Sequence, residues 1–270
     1  MPSILVCGNG PSVCNIDFTR VKMDSKVMRM TNFFLEDTYY AGKRVDYYIE
    51  YVKRLERQYF NIRMLDMKGE YSFDMENVWM TVMFESNSHF PTVKMATPLI
   101  QKNPLIAEFR SFYEFYYGQY LTTGLQGVAL AVCLGYKEVY LAGFDLFSDP
   151  NNLHPFNAGN YMSEVLNSKS IVSNNSYETS GSSGKSADYS QKHHPSELQT
   201  SFLKLLMKLY PDTKIFSVDE TSPINQYVEI APKIYANPWY IPERKGNDRT
   251  TDWFEFPKTM PNREVYENAK

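Results

Sequence analysis

Short apolar runs recur along the chain, each closed by a turn of small or polar residues, with stretches of helical period between them. Residues 3–7, Lys26-Val27-Met28-Arg29-Met30 and Asp46-Tyr47-Tyr48-Ile49-Glu50-Tyr51 predict the first three strands. Residues 53–66 read as a helix and Asn77 to Phe84 as a fourth strand. Residues 106–118 form an aromatic-rich helix, broken at Leu121-Thr122-Thr123-Gly124. A helix of small residues then runs from Gly127 to Leu134, with Gly135 supplying the residue after its end. Lys137 to Ala142 is a strand that delivers Gly143-Phe144-Asp145. Residues 196–209 carry Leu198, Phe202, Leu205, Leu206 and Leu209 on one helical stripe, and Thr213 to Val218 is a last core strand. Strands alternating with helices predict an α/β fold: a single Rossmann-like domain with a mostly parallel sheet and helices on both faces.

Residues 148–193 break the pattern. They are rich in Asn, Ser and Gly and include Ser180-Gly181-Ser182-Ser183-Gly184. A long polar segment that leaves a strand end and finishes at the chain's only His-His pair predicts a flexible lid. We therefore expect one domain over residues 1–236, with a lid at 148–193, followed by an irregular tail over 237–270 that is rich in Pro and charge.

Composition narrows the class. At 270 residues the chain is long enough for one large α/β core. A net charge of −3 argues against a nucleic-acid partner. The 21 Tyr, set against four His, suit a polyhydroxyl ligand. Cys7 and Cys133 lie in apolar runs, and no pattern suggests zinc or a disulfide framework, so a reducing compartment is expected. No signal peptide precedes the first strand and no apolar stretch is long enough to span a bilayer. The expectation is a cytoplasmic protein, with work at the inner face of a membrane and homo-oligomerisation both open.

Candidate chemistry starts at Gly8-Asn9-Gly10-Pro11-Ser12, directly after the first strand. Such a turn in an open α/β sheet is a usual place for a phosphate or nucleotide. It is neither a dinucleotide fingerprint nor a Walker loop, and by itself is equally a plain strand-to-loop turn. Thr122-Thr123-Gly124 offers hydroxyls and unpaired N–H groups at a helix start, as an anion site or as a simple N-cap. Asp145 could bind a ribose hydroxyl or cap the turn after it. His194 precedes Pro195 at the start of the 196–209 helix, where the helix dipole disfavours imidazolium. It is either a neutral general base or a cap. His154 lies in the polar segment and His89 in another loop. No D-x-D motif occurs to hold a metal on a nucleoside diphosphate.

Four ordered segments together resemble the bacterial sialyltransferases of glycosyltransferase family 42, the group that includes the Campylobacter lipooligosaccharide enzymes. Gly8-Asn9-Gly10-Pro11-Ser12 is similar to the family's G-N-G-P-S turn. Phe33 to Lys43 is similar to its F-x-F-E-D-x-Y-Y-x-G-K segment, and Leu134 to Asp145 to L-G-Y-K-x-I-Y-L-x-G-I-D. Ile224 to Pro232 is similar to a C-terminal segment. The order and spacing agree across roughly residues 3–235.

The resemblance implies a metal-independent, inverting transferase with no cofactor. It would use a cytidine monophosphate sugar, typically of sialic acid, and a glycan acceptor of a surface structure such as lipooligosaccharide or capsule. It implies His194 as general base. Asn9 and Gly10, with Thr31 and Asn32, would meet the donor, and Gly143, Phe144 and Asp145 would line the cytidine. Thr122, Thr123 and Gly124 would receive the donor carboxylate. The chain departs from the family at the sugar end. Thr31-Asn32 replaces Asn-Gln, Tyr51 an Asn, and Tyr120 an Arg; of two lid tyrosines, Phe147 takes the place of the first and His154 of the second, as leaving-group partner. These changes leave two alternatives open, a same-fold transferase for another nucleotide sugar and a non-catalytic glycan- or nucleotide-binding relative.

Overall fold

The computed structural model describes residues 1–36, 38–51, 55–81, 93–146, 192–234 and 239–244. Its centre is an eight-stranded sheet in which every pairing is parallel. The chain begins in the middle with β1 (Ser3–Cys7) and winds outward through β2 (Lys26–Met30), β4 (Tyr47–Tyr51), β6 (Val78–Thr81) and β7 (Lys94–Met95). It then returns across the sheet to β8 (Glu138–Ala142), on the other side of β1, and continues to β9 (Lys214–Ser217) and β10 (Glu229–Ile230). A separate parallel pair joins β3 (Arg44–Val45) to β5 (Ser72–Phe73). The strand order reverses between β1 and β8, and in open α/β sheets ligands bind outside the strand C-termini at that switch point.

All five residues of β1 are buried, as an apolar run in a sheet covered on both faces requires. On one face Ile4, Val6, Met28, Met30, Val139 and Leu141 pack under α2 (Ala96–Ile100), α3 (Pro104–Tyr117), α4 (Thr123–Cys133) and α5 (Ser196–Leu209). On the other lie α1 (Leu55–Met67) and the aromatic cluster of Phe33, Tyr39, Tyr48, Tyr71 and Phe73. The segment Trp239–Arg244 also packs here, through Arg244 against Tyr39 and Tyr71 and Trp239 against Phe18.

The helix ends follow local chemistry. Asn103 caps α3 by accepting from Leu105 N at 3.1 Å, Pro104 fills its first position, and Gly118 closes it at φ +59°. Helix α4 starts at Thr123, earlier than its periodicity suggests, because Thr122 caps it. Leu205 and Leu209 sit at the margin of the α5 stripe, and Leu203 joins Leu198, Phe202 and Leu206 inside. The two-residue strands β3, β5, β7 and β10 are too short to carry a period. Residues 148–191 and 245–270, which hold most of the expected lid and tail, lie outside the described residues.

Candidate active site

The ends of β1 and β8 are stitched backbone to backbone. Gly8 N donates to Ala142 O at 2.8 Å and Gly10 N to Gly143 O at 3.0 Å. Gly143 is left-handed at φ +69°, and a Cβ there would stand 2.6 Å from Gly8 O and 2.9 Å from Val13 Cβ. A Cβ on Gly8 would meet Gly143 O at 2.3 Å, and one on Gly10 would meet Asp145 Oδ2 at 2.1 Å. The glycines are therefore demanded by the mutual approach of the two strand ends. Gly143→Ala adds both a clash and an unfavourable φ. We expect it to cost about 2 kcal/mol or more in denaturant unfolding, whereas Gly135→Ala, with positive φ but open space, should cost about 1 kcal/mol.

Asp145 acts as a cap, though for a different turn from the one expected. Its Oδ2 accepts from Ser12 N at 3.0 Å and Ser12 Oγ at 2.9 Å, so it serves the 3-10 turn Pro11–Asn15 across the switch point. That turn's own N-cap, Gly10, has no side chain to do so. Burial raises the Asp145 carboxyl above its ordinary value, and the two Ser12 bonds oppose the rise.

Asn9 ties β1 to β2. Its Nδ2 donates to Met30 O at 3.1 Å and to Thr31 Oγ1 at 2.7 Å. Thr31 adopts φ +49°, costly for a β-branched residue. It is held there by Thr31 N to Ile49 O at 3.1 Å and by the Tyr48 hydroxyl donating to Thr31 O at 3.0 Å. The same hydroxyl lies 2.9 Å from Oε2 of Glu50, which is fully buried and whose Oε1 accepts from Tyr51 N at 2.7 Å. Sequence reasoning passed over Glu50. The available signal is a carboxylate at an interior position of an apolar strand, next to Tyr51. Asn32 follows Thr31 and opens the 3-10 turn Phe33–Leu35.

The N-terminus of α4 packs onto these strand ends through Gly124, where a Cβ would meet Phe144 Cε1 at 3.1 Å and Met30 Sδ at 3.5 Å. Thr122 is a true N-cap, its Oγ1 accepting from Leu125 N at 3.2 Å, and its own N–H goes to Gln199 Oε1 at 3.0 Å. The N–H groups of Thr123 and Gly124 find no acceptor among the described residues. They are the free donors at this positive helix end.

The segment before α4 is sewn to the start of α5. Tyr120 N donates to His193 O at 2.7 Å, His193 Nδ1 bonds Gly118 O at 3.1 Å, and Gln199 Nε2 donates to Tyr120 O at 3.1 Å. His194 Nδ1 lies 2.7 Å from Tyr120 O. A carbonyl oxygen only accepts, so Nδ1 carries the hydrogen and the lone pair of the neutral ring is on Nε2. Burial pushes the His194 imidazole below its usual value, the main-chain bond to Tyr120 opposes this, and charge on His193 adds to it. The sequence points to the helix dipole; the structure adds burial, acting in the same direction.

The structure thus brings Asn9, Gly10, Thr31, Asn32, Thr122, Thr123, Gly124, Gly143, Phe144 and Asp145 to one end of the sheet. His194 joins them through Tyr120, the residue two before the α4 cap. His154, His89 and Phe147 lie outside the described residues. Among the described residues no three His, Cys, Asp or Glu side chains converge as metal ligands would.

A family model described as alpha-2,3-sialyltransferase (CST-I) matches residues 2–249. Solved structures match the whole fold. The monofunctional alpha-2,3-sialyltransferase Cst-I from Campylobacter jejuni superposes with a TM-score of 0.74 at 23% identity, covering 96% of this chain and 94% of that one. CstII from Campylobacter jejuni, in complex with the substrate analogue CMP-3FNeuAc, gives a TM-score of 0.73 at 21% identity over 96% and 100% of the two chains. The sialyltransferase CST-II in complex with a trisaccharide acceptor and CMP gives 0.69 at 21%, over 91% and 92%. No curated protein sequence matches the chain.

Proposed function

Because the chain belongs to the CST-I alpha-2,3-sialyltransferase family and is a glycosyltransferase of that kind, we propose that it moves sialic acid or a related nonulosonate from a CMP-sugar to a glycan hydroxyl, with inversion and without a metal, and that His194 is its general base. The observation that carries the reading is the His194 Nδ1 bond to Tyr120 O, beside the free N–H groups that begin α4. It leaves Nε2 of a neutral, buried imidazole as the proton acceptor.

The cytidine end would lie against Gly8–Gly10 and Gly143–Asp145 at the switch point, with Thr31 and Asn32 toward the donor sugar. The N–H groups of Thr123 and Gly124 would take the donor carboxylate, with the helix dipole behind them. As the acceptor oxygen attacks the anomeric carbon, Nε2 takes the hydroxyl proton. The bond from that carbon to the phosphate oxygen breaks and CMP departs with the electron pair. A nucleoside monophosphate leaving group has no diphosphate for a metal to bridge, and the chain carries no D-x-D motif. His154 would reach the phosphate from a lid over 148–193 that belongs to a transferase domain of residues 1–236, with residues 237–270 as its tail. The acceptor would be a surface glycan such as lipooligosaccharide or capsule, met in the cytoplasm at the inner face of the membrane. Two of the similar structures hold CMP or a CMP-sugar analogue, which supports the donor class. No helix among the described residues is long and apolar enough to cross a membrane.

Tyr51 and Tyr120, at positions where the family has Asn and Arg, keep a second reading in play: a transferase for another nucleotide sugar. A thermal-shift series with cytidine, uridine and guanosine nucleotides separates the two. We expect CMP and CDP to raise the melting temperature, and stabilisation by uridine diphosphate alone would end the CMP reading. Release of CMP from CMP-N-acetylneuraminic acid without acceptor, followed chromatographically, then distinguishes an enzyme from a binding relative.

A further inference from the structure

A cavity of about 300 Å³ opens between Gly42, Lys43 and Arg44 on one side and Trp239, Tyr240 and Ile241 on the other. It lies at the N-terminal ends of the strands. The Arg44 guanidinium donates to Ser25 O, one residue before β2, and Asp46, just before β4, accepts from Lys26 Nζ at 2.9 Å. A five-residue strand is ~16 Å long, so no single sugar spans this cavity and the site at the opposite strand ends. Gly42-Lys43 closes the Phe33–Lys43 segment that carries part of the family resemblance, yet the catalytic reading gives these two residues nothing to do.

The cavity is cationic and aromatic. Two cations line it: Arg44 pairs with Asp46 at 3.1 Å, and Lys43 Nζ donates to Gly69 O and lies over the Tyr39 ring, with no carboxylate partner among the described residues. The Arg44 guanidinium lies over the Trp239 ring at 5.4 Å. Tyr240 is 87% exposed and presents a ring to the rim. Aromatic faces pack on the C–H faces of pyranoses, cations bind carboxylates, and a volume of 300 Å³ is at the small end for ligand sites.

We propose that this cavity is a second, non-catalytic site for an acidic sugar. Its carboxylate lies on Lys43 and Arg44, and its ring packs on Trp239 and Tyr240. The class of ligand follows from the cavity alone; only the choice of a sialylated glycan as that acidic sugar rests on the proposed activity. Such a site would hold a sialylated chain on the protein away from the reaction centre.

The test is a titration of the full chain with 3′-sialyllactose, read by ligand-observed NMR in saturating cytidine, which lacks the phosphate that reverse transfer needs. Binding in the millimolar range is expected, with lactose at least about tenfold weaker. Lys43→Gln and Tyr240→Ala should each weaken it about fivefold while leaving the CMP dissociation constant unchanged. Equal binding of lactose, or indifference to both substitutions, overturns the proposal. So does inorganic phosphate that competes equally and depends on Lys43 but not on Tyr240, since that defines an anion site without sugar recognition. Vesicles of anionic phospholipid that bind through Lys43 while sialyllactose does not would assign the face to lipid instead. None of these outcomes depends on transfer, so a chain that fails to use CMP-sugars can still pass or fail here.

Discussion

His194→Ala should lower the rate of transfer by about 10²–10⁴-fold, the range that a positioned general base contributes. The dissociation constant for CMP should stay within about threefold, because the nucleotide end of the site is built from the ends of β1, β2 and β8, and His194 reaches it only through Tyr120. Near-normal transfer by the variant would remove His194 from the mechanism. The pH profile is the sharper measurement. A base must be unprotonated, so the wild-type rate falls as pH drops through the His194 pKa. Burial lowers that pKa from 6.5, and the acidic limb should therefore lie below 6.5, with activity flat above it. The groups beside His194 include the His193 imidazole, whose charge pushes in the same direction. In His193→Gln the limb should shift upward slightly and persist; in His194→Ala the residual rate should lose it. The stability sign agrees: between the folded and unfolded pKa values the unfolded chain binds the extra proton, so folding weakens as pH falls below 6.5.

Most of the sheet was legible because parallel strands covered on both faces are near-continuous apolar runs, as in Ile4–Cys7 of β1 and Val139–Ala142 of β8, with Arg29 the one charge inside β2. The break at Thr122 was legible as well, since it is set by residues within a turn of it, whereas the Asn103 cap and the start of α3 at Pro104 went unread. What could not be read is set by pairs far apart in the chain. Asp145 reads as a ligand for ribose or a cap for the next turn; its actual partner, Ser12, is 133 residues away. Gln199 lies inside an amphipathic helix and reads as surface, yet it is 1% exposed and bridges Tyr120 O to Thr122 N. The three glycines read as room for a ligand and are room for each other. Family resemblance supplied the order of the segments, and geometry supplied the tautomer of His194.

Glu36→Gln should destabilise the fold by ~3–5 kcal/mol, the usual cost of breaking a buried ion pair from one side. Glu36 is fully buried and pairs with Arg29, which is 1% exposed; its Oε1 also accepts from the Tyr71 hydroxyl at 2.9 Å. Arg29 has little else. Its guanidinium lies over the Phe33 ring at 4.3 Å, and its Nε and Nη1 have no hydrogen-bond partner among the described residues. The nearby Cys7 thiol offers no anion, because burial pushes its pKa up to about 12. Neutralising Glu36 leaves Arg29 charged in the interior without a counterion. Against a typical total of ~5–15 kcal/mol, that loss should be plain as a drop in the urea midpoint at unchanged slope. The double change Arg29→Met with Glu36→Leu removes both charges and should recover most of it, as apolar replacement of buried pairs often does. A single variant within about 1 kcal/mol of wild type would show that the pair contributes little. The site should register the loss as well. Arg29 is followed by Met30, the last residue of β2, and then by Thr31, the two residues that Asn9 grips, so Glu36→Gln should weaken CMP binding where a surface change of equal charge, such as Glu76→Gln, does not.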